Sequence, residues 1–143
     1  GVAKIPKVYP ILFLDQRGSG IGQLAAAIGR HSFPDAAQFT VATPGGSDPL
    51  APGLRDFLAD AGLPDSGLET EPLAALEHDF SNFIVLVGVN GKVSDYVQKV
   101  PFHTSARDWD VPQDADRAEQ YRLLRREITD LVTLLAGPTA GRS

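Results

Sequence analysis

Runs of consecutive apolar residues mark the predicted strands of this chain. Residues 8–14 (VYPILFL) and residues 83–87 (FIVLV) are apolar at both odd and even positions. A strand with that pattern is buried on both faces, which is typical of the central strands of a parallel sheet. Shorter apolar stretches predict two further strands, at residues 39–42 and 102–106. The pattern therefore predicts four strands.

Apolar residues at helical spacing predict helices between these strands. The first helix is expected over residues 20–30, and the second from residue 47 or 48, where Pro49 favours a helix start, to Gly62. A single helical turn is predicted at residues 73–76, and a short helix at residues 93–98.

The clearest predicted helix is the last one. Its apolar face runs from Tyr121 to Leu135, and Gly137 with Pro138 ends it. Because strands alternate with helices along the chain, the pattern predicts an α/β fold in which helices cover both faces of a parallel sheet. Ligands of such folds bind beyond the carboxyl ends of the strands, so the loop after the first strand is the first place to look for a site.

Composition limits the functions that the chain can have. The 143 residues fit one domain, and the net charge of -5 argues against a nucleic-acid-binding surface. The sequence has no cysteine, which excludes disulfides, thiolate metal sites and cysteine nucleophiles. No apolar run is long enough to span a membrane, and no export signal is recognisable, so we expect a cytoplasmic location. The start at Gly1, without Met, is typical of a processed terminus, so we expect the chain to be a piece of a longer protein.

The turn between the first strand and the first helix is rich in glycine. It consists of Asp15, Gln16, Arg17, Gly18, Ser19, Gly20, Ile21 and Gly22. Glycines allow positive φ and close approach of backbone N–H groups, and a helix N-terminus adds unpaired amides, so such a turn can bind an anion. The spacing is not that of a dinucleotide-binding or nucleotide P-loop motif. A tight turn that binds no ligand is the alternative.

Several motifs follow one another in an order that is typical of one family. They are an apolar strand, a loop and an Ala-rich helix at 11–30, VATPGG at 41–46, PGLRDFLADAGLP at 52–64, FIVLV at 83–87, WDVPQD at 109–114, and the last helix. This order resembles low-molecular-weight protein tyrosine phosphatases and the related arsenate reductases. The resemblance implies a three-layer fold with a four-stranded parallel sheet, in strand order 2-1-3-4, formed by a single domain over residues 1–143. The ends, residues 1–7 and 138–143, are expected to be flexible.

The resemblance also implies that the catalytic residues of the family are replaced. Asp15 stands at the position of the nucleophilic cysteine, Ile21 at that of the loop arginine, Gly22 at that of the following serine, and Gly18 at that of the loop asparagine. A carboxylate is a poorer nucleophile than a thiolate, and isoleucine cannot clamp phosphoryl oxygens. Arsenate reduction needs a thiol relay, which a chain without cysteine cannot form.

The third family position lies in the loop after the last strand. The general acid falls on Gln113, or on Asp114 if the alignment shifts by one residue, and glutamine cannot protonate a leaving group. Trp109 and Asp114 are predicted to form the rim of the glycine-rich turn at residues 15–22, which we call the anion loop. A solvated acidic loop with Trp109 packed under it is the alternative.

Three functions remain open at this point. The first is a non-catalytic domain in which the Asp15 carboxylate fills the anion loop, with a lowered pKa, and which binds a protein partner or regulates a fused domain. The second is a small-anion or nucleotide-binding module. The third is a residual phosphatase in which Asp15 attacks phosphorus and Arg17 or Arg107 replaces the lost arginine.

The remaining expectations concern ligands and partners. His31, His78 and His103 lack metal-ligand spacing, so no metal site and no cofactor are predicted. We expect no nucleic-acid and no membrane partner. A homodimer is possible on the sequence alone.

Overall fold

The computed structural model describes residues 7–138, 140 and 141. The strands are β1 (Tyr9–Leu14), β2 (Ala37–Thr43), β3 (Glu71–Pro72), β4 (Val85–Gly88) and β5 (Ser105–Asp108). The helices are α1 (Ile21–Ser32), α2 (Leu54–Asp60), α3 (Leu73–Leu76) and α4 (Arg117–Ala136). Two 3₁₀ turns, Phe80–Asn82 and Val93–Asp95, flank β4.

The strands of the described residues form one parallel sheet of five strands, in the order β3-β2-β1-β4-β5. The predicted order of the four longer strands is confirmed. The predicted count of four is wrong, because β3 adds a fifth strand that pairs with Ala42 and Thr43. Two residues are too few to produce a hydrophobic pattern, so this edge strand could not be recognised in the sequence.

Two apolar layers enclose the central strand β1. Ile11 and Phe13 point into the larger core, which α1, α2 and α4 cover. Leu12 and Leu14 point into a smaller core on the other face, where the packing partners come from α3, the two 3₁₀ turns and Val97. This alternation confirms the three-layer architecture. It also carries β1 straight through the interior, so the residue that follows the strand, Asp15, is itself buried.

The second helix begins later than predicted. It starts at Leu54, after Gly53 in the left-handed region at φ 78°, and not near residue 47 or 48. Hydrogen bonds hold Asp48 in an extended connection, because its N–H donates to the Thr70 hydroxyl and its carbonyl accepts the Thr70 N–H. The local pattern showed the proline but not this distant partner.

Other boundaries shift by a few residues. β4 and β5 begin later than the predicted strands because turns precede them: the Phe83 N–H donates to the Phe80 carbonyl, and the Thr104 N–H donates to the Pro101 carbonyl. The helix predicted at 93–98 is a single 3₁₀ turn. The helical turn at 73–76 is confirmed.

The last helix is longer than its apolar face indicated. Asp116 caps it, because its carboxylate accepts the Glu119 N–H at 2.8 Å, and α4 starts at Arg117. Leu124, Ile128 and Val132 are buried along its inner face.

The predicted flexible ends include residues 1–6, 139, 142 and 143, which lie outside the described residues. No helix within residues 7–138, 140 and 141 is long and apolar enough to cross a membrane.

Burial along α4 gives a direct test of this packing. Ile128→Ala is expected to lower the free energy of unfolding by about 2 to 5 kcal/mol, since the side chain is fully buried. The control Leu134→Ala, at a residue that is 68% exposed on the same helix, should change it by no more than about 0.5 kcal/mol. Urea unfolding measures both values. Equal losses in the two variants would contradict the described orientation of α4.

Candidate functional site: an anion loop with internal carboxylates

The glycine-rich loop lies at the carboxyl end of β1, in the middle of the sheet. Gly20 is in the left-handed region at φ 76° and immediately precedes α1. The helix therefore begins directly over the end of β1. Its first N–H groups are directed toward the loop, as the sequence predicted for an anion-binding turn.

The Asp15 carboxylate occupies the inside of this loop. It is 2% exposed and accepts hydrogen bonds from the Gln16 N–H and the Gly22 N–H, both at 2.8 Å. The Ser19 hydroxyl lies 2.6 Å from each of its oxygens. A bound anion in such a loop accepts hydrogen bonds from the same kinds of donor. The carboxylate of Asp15 thus takes the place of an external anion.

A second carboxylate closes the outer side of the loop. Asp48 accepts the Gly18 N–H at 2.7 Å and the Arg17 Nε–H at 3.0 Å. Thr70 holds the backbone of Asp48 in place. Its hydroxyl accepts the Asp48 N–H at 2.7 Å and pairs with the Thr43 hydroxyl. The distant chain segment after β2 therefore contributes to the loop, which no local motif indicated.

Five loop amides donate to acceptors within the protein. Three of these bonds end on carboxylates and two on neutral oxygens; the donors are Gln16, Gly18, Ser19, Ile21 and Gly22. The Ser19 hydroxyl has two roles, since it donates to Asp15 and accepts the Ile21 N–H at 3.0 Å. Most amides of the loop thus have an acceptor within the protein itself.

Burial raises the pKa of Asp15 above its usual 3.8. The hydrogen bonds from Ser19, Gly22 and Gln16 and the positive charge of Arg117 act in the opposite direction, and burial outweighs them. The expectation of a lowered pKa is therefore wrong. The hydrogen-bond donors alone would lower the pKa of Asp15. The removal of water from a carboxylate at the end of a central strand has the larger effect and raises it.

Ile21 and Gly22 leave no room for the groups that the family resemblance assigns to their positions. The Ile21 side chain is fully buried in the larger core. A Cβ at Gly22 would lie 2.6 Å from Val41 Cγ1 and 3.2 Å from the Asp15 Cβ and Oδ2 atoms. The backbone of α1 is therefore packed against β2 and Asp15 too closely for a larger residue.

The positive charge that acts on Asp15 comes from neither of the two arginines that the sequence indicated. Arg17 is bound to Asp48 and to the carbonyls of Gly45 and Ser47, and Arg107 lies on β5 at the sheet edge. Arg117, which no sequence motif indicated, lies against the loop. Its Nη2 is 2.7 Å from the position that a Cβ on Gly20 would take.

Arg117 is half-buried and is held in place by Gln120, whose Oε1 accepts its Nη1–H at 2.9 Å. Burial lowers the pKa of Arg117, and the Asp15 carboxylate raises it. The two side chains thus interact electrostatically across the loop. A separation of about a hundred residues explains why no motif pointed to the pair.

The residues predicted for the general acid and the rim lie in the connection between β5 and α4. Gln113 is exposed and accepts a hydrogen bond from the Asn90 amide at 3.0 Å, and Asp114 is exposed. Trp109 packs against the Phe13 ring, with 5.7 Å between centroids, and against the larger core. The structure places Trp109 in the core packing on the α4 side of the sheet, as the alternative reading expected.

A small cavity of about 170 Å³ opens beside the loop. Its polar lining includes Asp15, Gln16 and Asp48, and its apolar wall is formed by Pro49 and Leu50. No group of three or more His, Cys, Asp or Glu side chains in the described part of the chain is arranged to hold a metal ion. The geometry here is that of a loop with internal anions.

The architecture and this loop together define a class: a parallel α/β protein with a glycine-rich loop between its first strand and its first helix. Solved structures share the fold. One is an arsenate reductase in its phosphate-binding state, with a TM-score of 0.68 and 14% identity over 88% of this chain and 98% of that chain. Another is the thioredoxin-dependent arsenate reductase of Corynebacterium glutamicum, with a TM-score of 0.70 and 18% identity over 91% and 64%.

A third is YfkJ from Bacillus subtilis, with a TM-score of 0.68 and 16% identity over 90% and 95% of the two chains. No family model and no curated sequence matches this chain. At these identities the similarity shows the fold. The chain thus has the low-molecular-weight phosphatase-like fold of the arsenate reductases, as its motif order predicted.

Removal of the internal carboxylate tests its structural role. At about pH 5, Asp15→Ala is expected to lower the free energy of unfolding by about 2 to 4 kcal/mol, because buried donors lose their acceptor. The pKa of Asp15 is raised in the folded state above the 3.8 expected for the unfolded chain. The contribution of Asp15 to the free energy of unfolding is therefore complete below pH 3.8 and is lost as the pH rises through the folded-state pKa. The difference between wild type and variant should therefore shrink toward pH 8.

Urea unfolding between about pH 4 and pH 8 measures this difference. Asp114→Ala, which removes an exposed carboxylate, is the control and should change little. A stability difference between wild type and Asp15→Ala that grows with pH would mean that the Asp15 pKa is lowered. That result would contradict the raised pKa that burial causes.

Close packing at Gly22 gives a separate test. Gly22→Ala should lower the free energy of unfolding by about 1 to 3 kcal/mol, although alanine favours a helix, because the new methyl group meets Val41. Val41→Ala removes the obstructing Cγ1 atom. The free energy of unfolding lost in the double variant should therefore be smaller than the sum of the losses in the two single variants. Strict additivity in the double-mutant cycle would contradict this contact.

Proposed function

We propose that this chain is a non-catalytic domain of the phosphatase and arsenate reductase fold, which acts by binding a protein partner or by regulating a fused or neighbouring domain. The observation that carries the proposal is the Asp15 carboxylate inside the anion loop, 2% exposed and bonded to the Gln16 and Gly22 amides. A phosphate would compete with a covalently attached anion for the same donors. Above the pKa of Asp15, its negative charge would also repel a phosphate.

The chemistry of the chain supports the same conclusion. The sequence has no thiol for nucleophilic attack or for a disulfide relay. Ile21 is buried and offers no donor, and Gln113 carries an amide in place of an acid. A cytoplasmic location and a protein partner stay predictions that accompany this proposal.

A residual phosphatase that uses Asp15 is disfavoured by geometry. Attack on phosphorus needs a carboxylate oxygen that can reach the substrate in line. Both oxygens of Asp15 face donors of its own loop, beneath the start of α1. Assays with an aryl phosphate and Mg²⁺ or Mn²⁺ should therefore show no turnover that depends on Asp15.

The small-anion alternative has one observation in its favour. Arg117 lies against Gly20 and offers a positive charge at the loop. An anion that replaced the Asp15 carboxylate would meet both the loop amides and this guanidinium. A titration with phosphate distinguishes this function from the non-catalytic domain.

Phosphate titration followed by amide NMR tests the proposal. The wild-type chain should show no saturable shift at millimolar phosphate. Asp15→Ala should gain saturable binding in the millimolar range or tighter, because the Gln16 and Gly22 amides lose their internal acceptor. Adding Arg117→Ala should remove that gain.

The controls separate this effect from general loss of negative charge. Asp114→Ala lowers the net negative charge equally and should behave as wild type. Saturable binding of phosphate to the wild-type loop would overturn the proposal that the Asp15 carboxylate fills the loop. It would establish the alternative function, an anion-binding module.

A further inference from the structure

Among the described residues, no strand pairs with the outer edge of β5. The Ser105 N–H donates inward to the Ile84 carbonyl, and the Trp109 N–H donates inward to the Gly88 carbonyl. Because backbone groups alternate in direction along a strand, Ala106 and Asp108 present their N–H and C=O groups outward. These groups can pair with an added strand.

The surface beside this edge is partly apolar. All four residues of β5 are exposed. Phe102, just before the strand, is 95% exposed, and Leu134 of α4 is 68% exposed. Between β5 and α4 runs a groove of about 290 Å³, which we call the β5 groove; it is lined by Arg107, Trp109, Glu127, Asp130, Leu131 and Leu134.

Charges in the β5 groove are mainly negative. Glu127 and Asp130 line its α4 side, Asp108 lies at its β5 side, and Arg107 is the positive residue among its lining. Glu127 also lies 3.9 Å from the Arg126 side chain, and the Asp108 carboxylate accepts the Val93 N–H, so Asp130 is the acidic side chain of the groove without a partner among the described residues. An occupant with Lys or Arg side chains would complement this surface. A second copy of the chain would bring two acidic grooves together in a symmetric pair, and their like charges would repel.

We propose that the outer edge of β5 is a docking site for an extended, basic segment of another protein. The segment adds a strand beside β5, places an apolar side chain between Trp109 and Leu134, and lays a Lys or Arg against Glu127 and Asp130. The inference rests on the proposed function as an interaction domain. It concerns a surface separate from the anion loop.

Amide NMR with a defined probe tests the site. The probe is a seven-residue peptide in which valine alternates with lysine; the comparison peptide has glutamate in place of lysine. The amides of Ala106 and Asp108 should shift with the lysine peptide, and the glutamate peptide should bind at least about tenfold more weakly.

Two variants remove the two components of the site. Ala106→Pro deletes an outward N–H while the inward bonds of Ser105 and Trp109 to β4 remain, and Leu134→Lys places a positive charge in the apolar part, beside the acidic residues. Each should weaken the lysine peptide at least about tenfold. The matched control Val8→Lys, at a residue that is 49% exposed and lines a different pocket, should leave binding unchanged.

The outcomes are distinguishable. Shifts centred on the anion loop, equal binding of both peptides, or no saturable shift would overturn the proposal. Shifts of Ala106 and Asp108 that appear on raising the protein concentration without peptide would assign the edge to a second copy and would also overturn it. None of these results affects the phosphate titration, so the filled anion loop is judged independently.

Discussion

The hydrogen bond between the Gly22 N–H and the Asp15 carboxylate joins the end of the central strand to the start of the first helix. A buried carboxylate is unfavourable unless donors surround it, and unpaired helix amides are unfavourable unless an acceptor faces them. Each group therefore supplies what the other lacks. The distances at Gly22, Val41 and Asp15 show that α1 can sit this close to the sheet only because residue 22 has no side chain. Gly29 has the same role nearer the other end of the helix, since a Cβ there would lie 2.6 Å from the Phe39 ring.

The same solution recurs at the next loop along this edge of the sheet. The N–H groups of three consecutive residues after β4 each donate to an aspartate: Gly91 to Asp110, Lys92 to Asp95, and Val93 to Asp108. Asp110 takes a positive φ of 47° to make its bond. The aspartates around Trp109 are therefore partly structural acceptors and not only a solvated loop. Aspartates of the chain itself thus accept backbone amides in both loops.

Sequence patterns predicted the elements whose apolar residues repeat over several turns or pleats. β1, α1 and α4 are of this kind, and the order of the four longer strands followed from the family resemblance. The start of α2 and the pairing of Glu71 with Ala42 depend on contacts between distant segments, chiefly the Thr70 bonds to Asp48. Arg117 was missed for the same reason, since it belongs to the loop only through the fold. The glycine loop itself was recognisable because its own spacing produces the geometry.

An enzyme loop that binds phosphate must remain organised while its donors wait for a ligand. This loop has no such requirement, because Asp15 and Asp48 are bonded to its amides in the protein itself. Replacing Asp15 by cysteine alone would therefore not restore a phosphatase: Asp48 would still hold the Gly18 amide, and Ile21 would still lie in the core. The changes support one another, since a loop closed by internal carboxylates has no use for an arginine clamp. In the proposed non-catalytic role, the fold is a scaffold, and its outer surfaces, rather than the loop, carry the function.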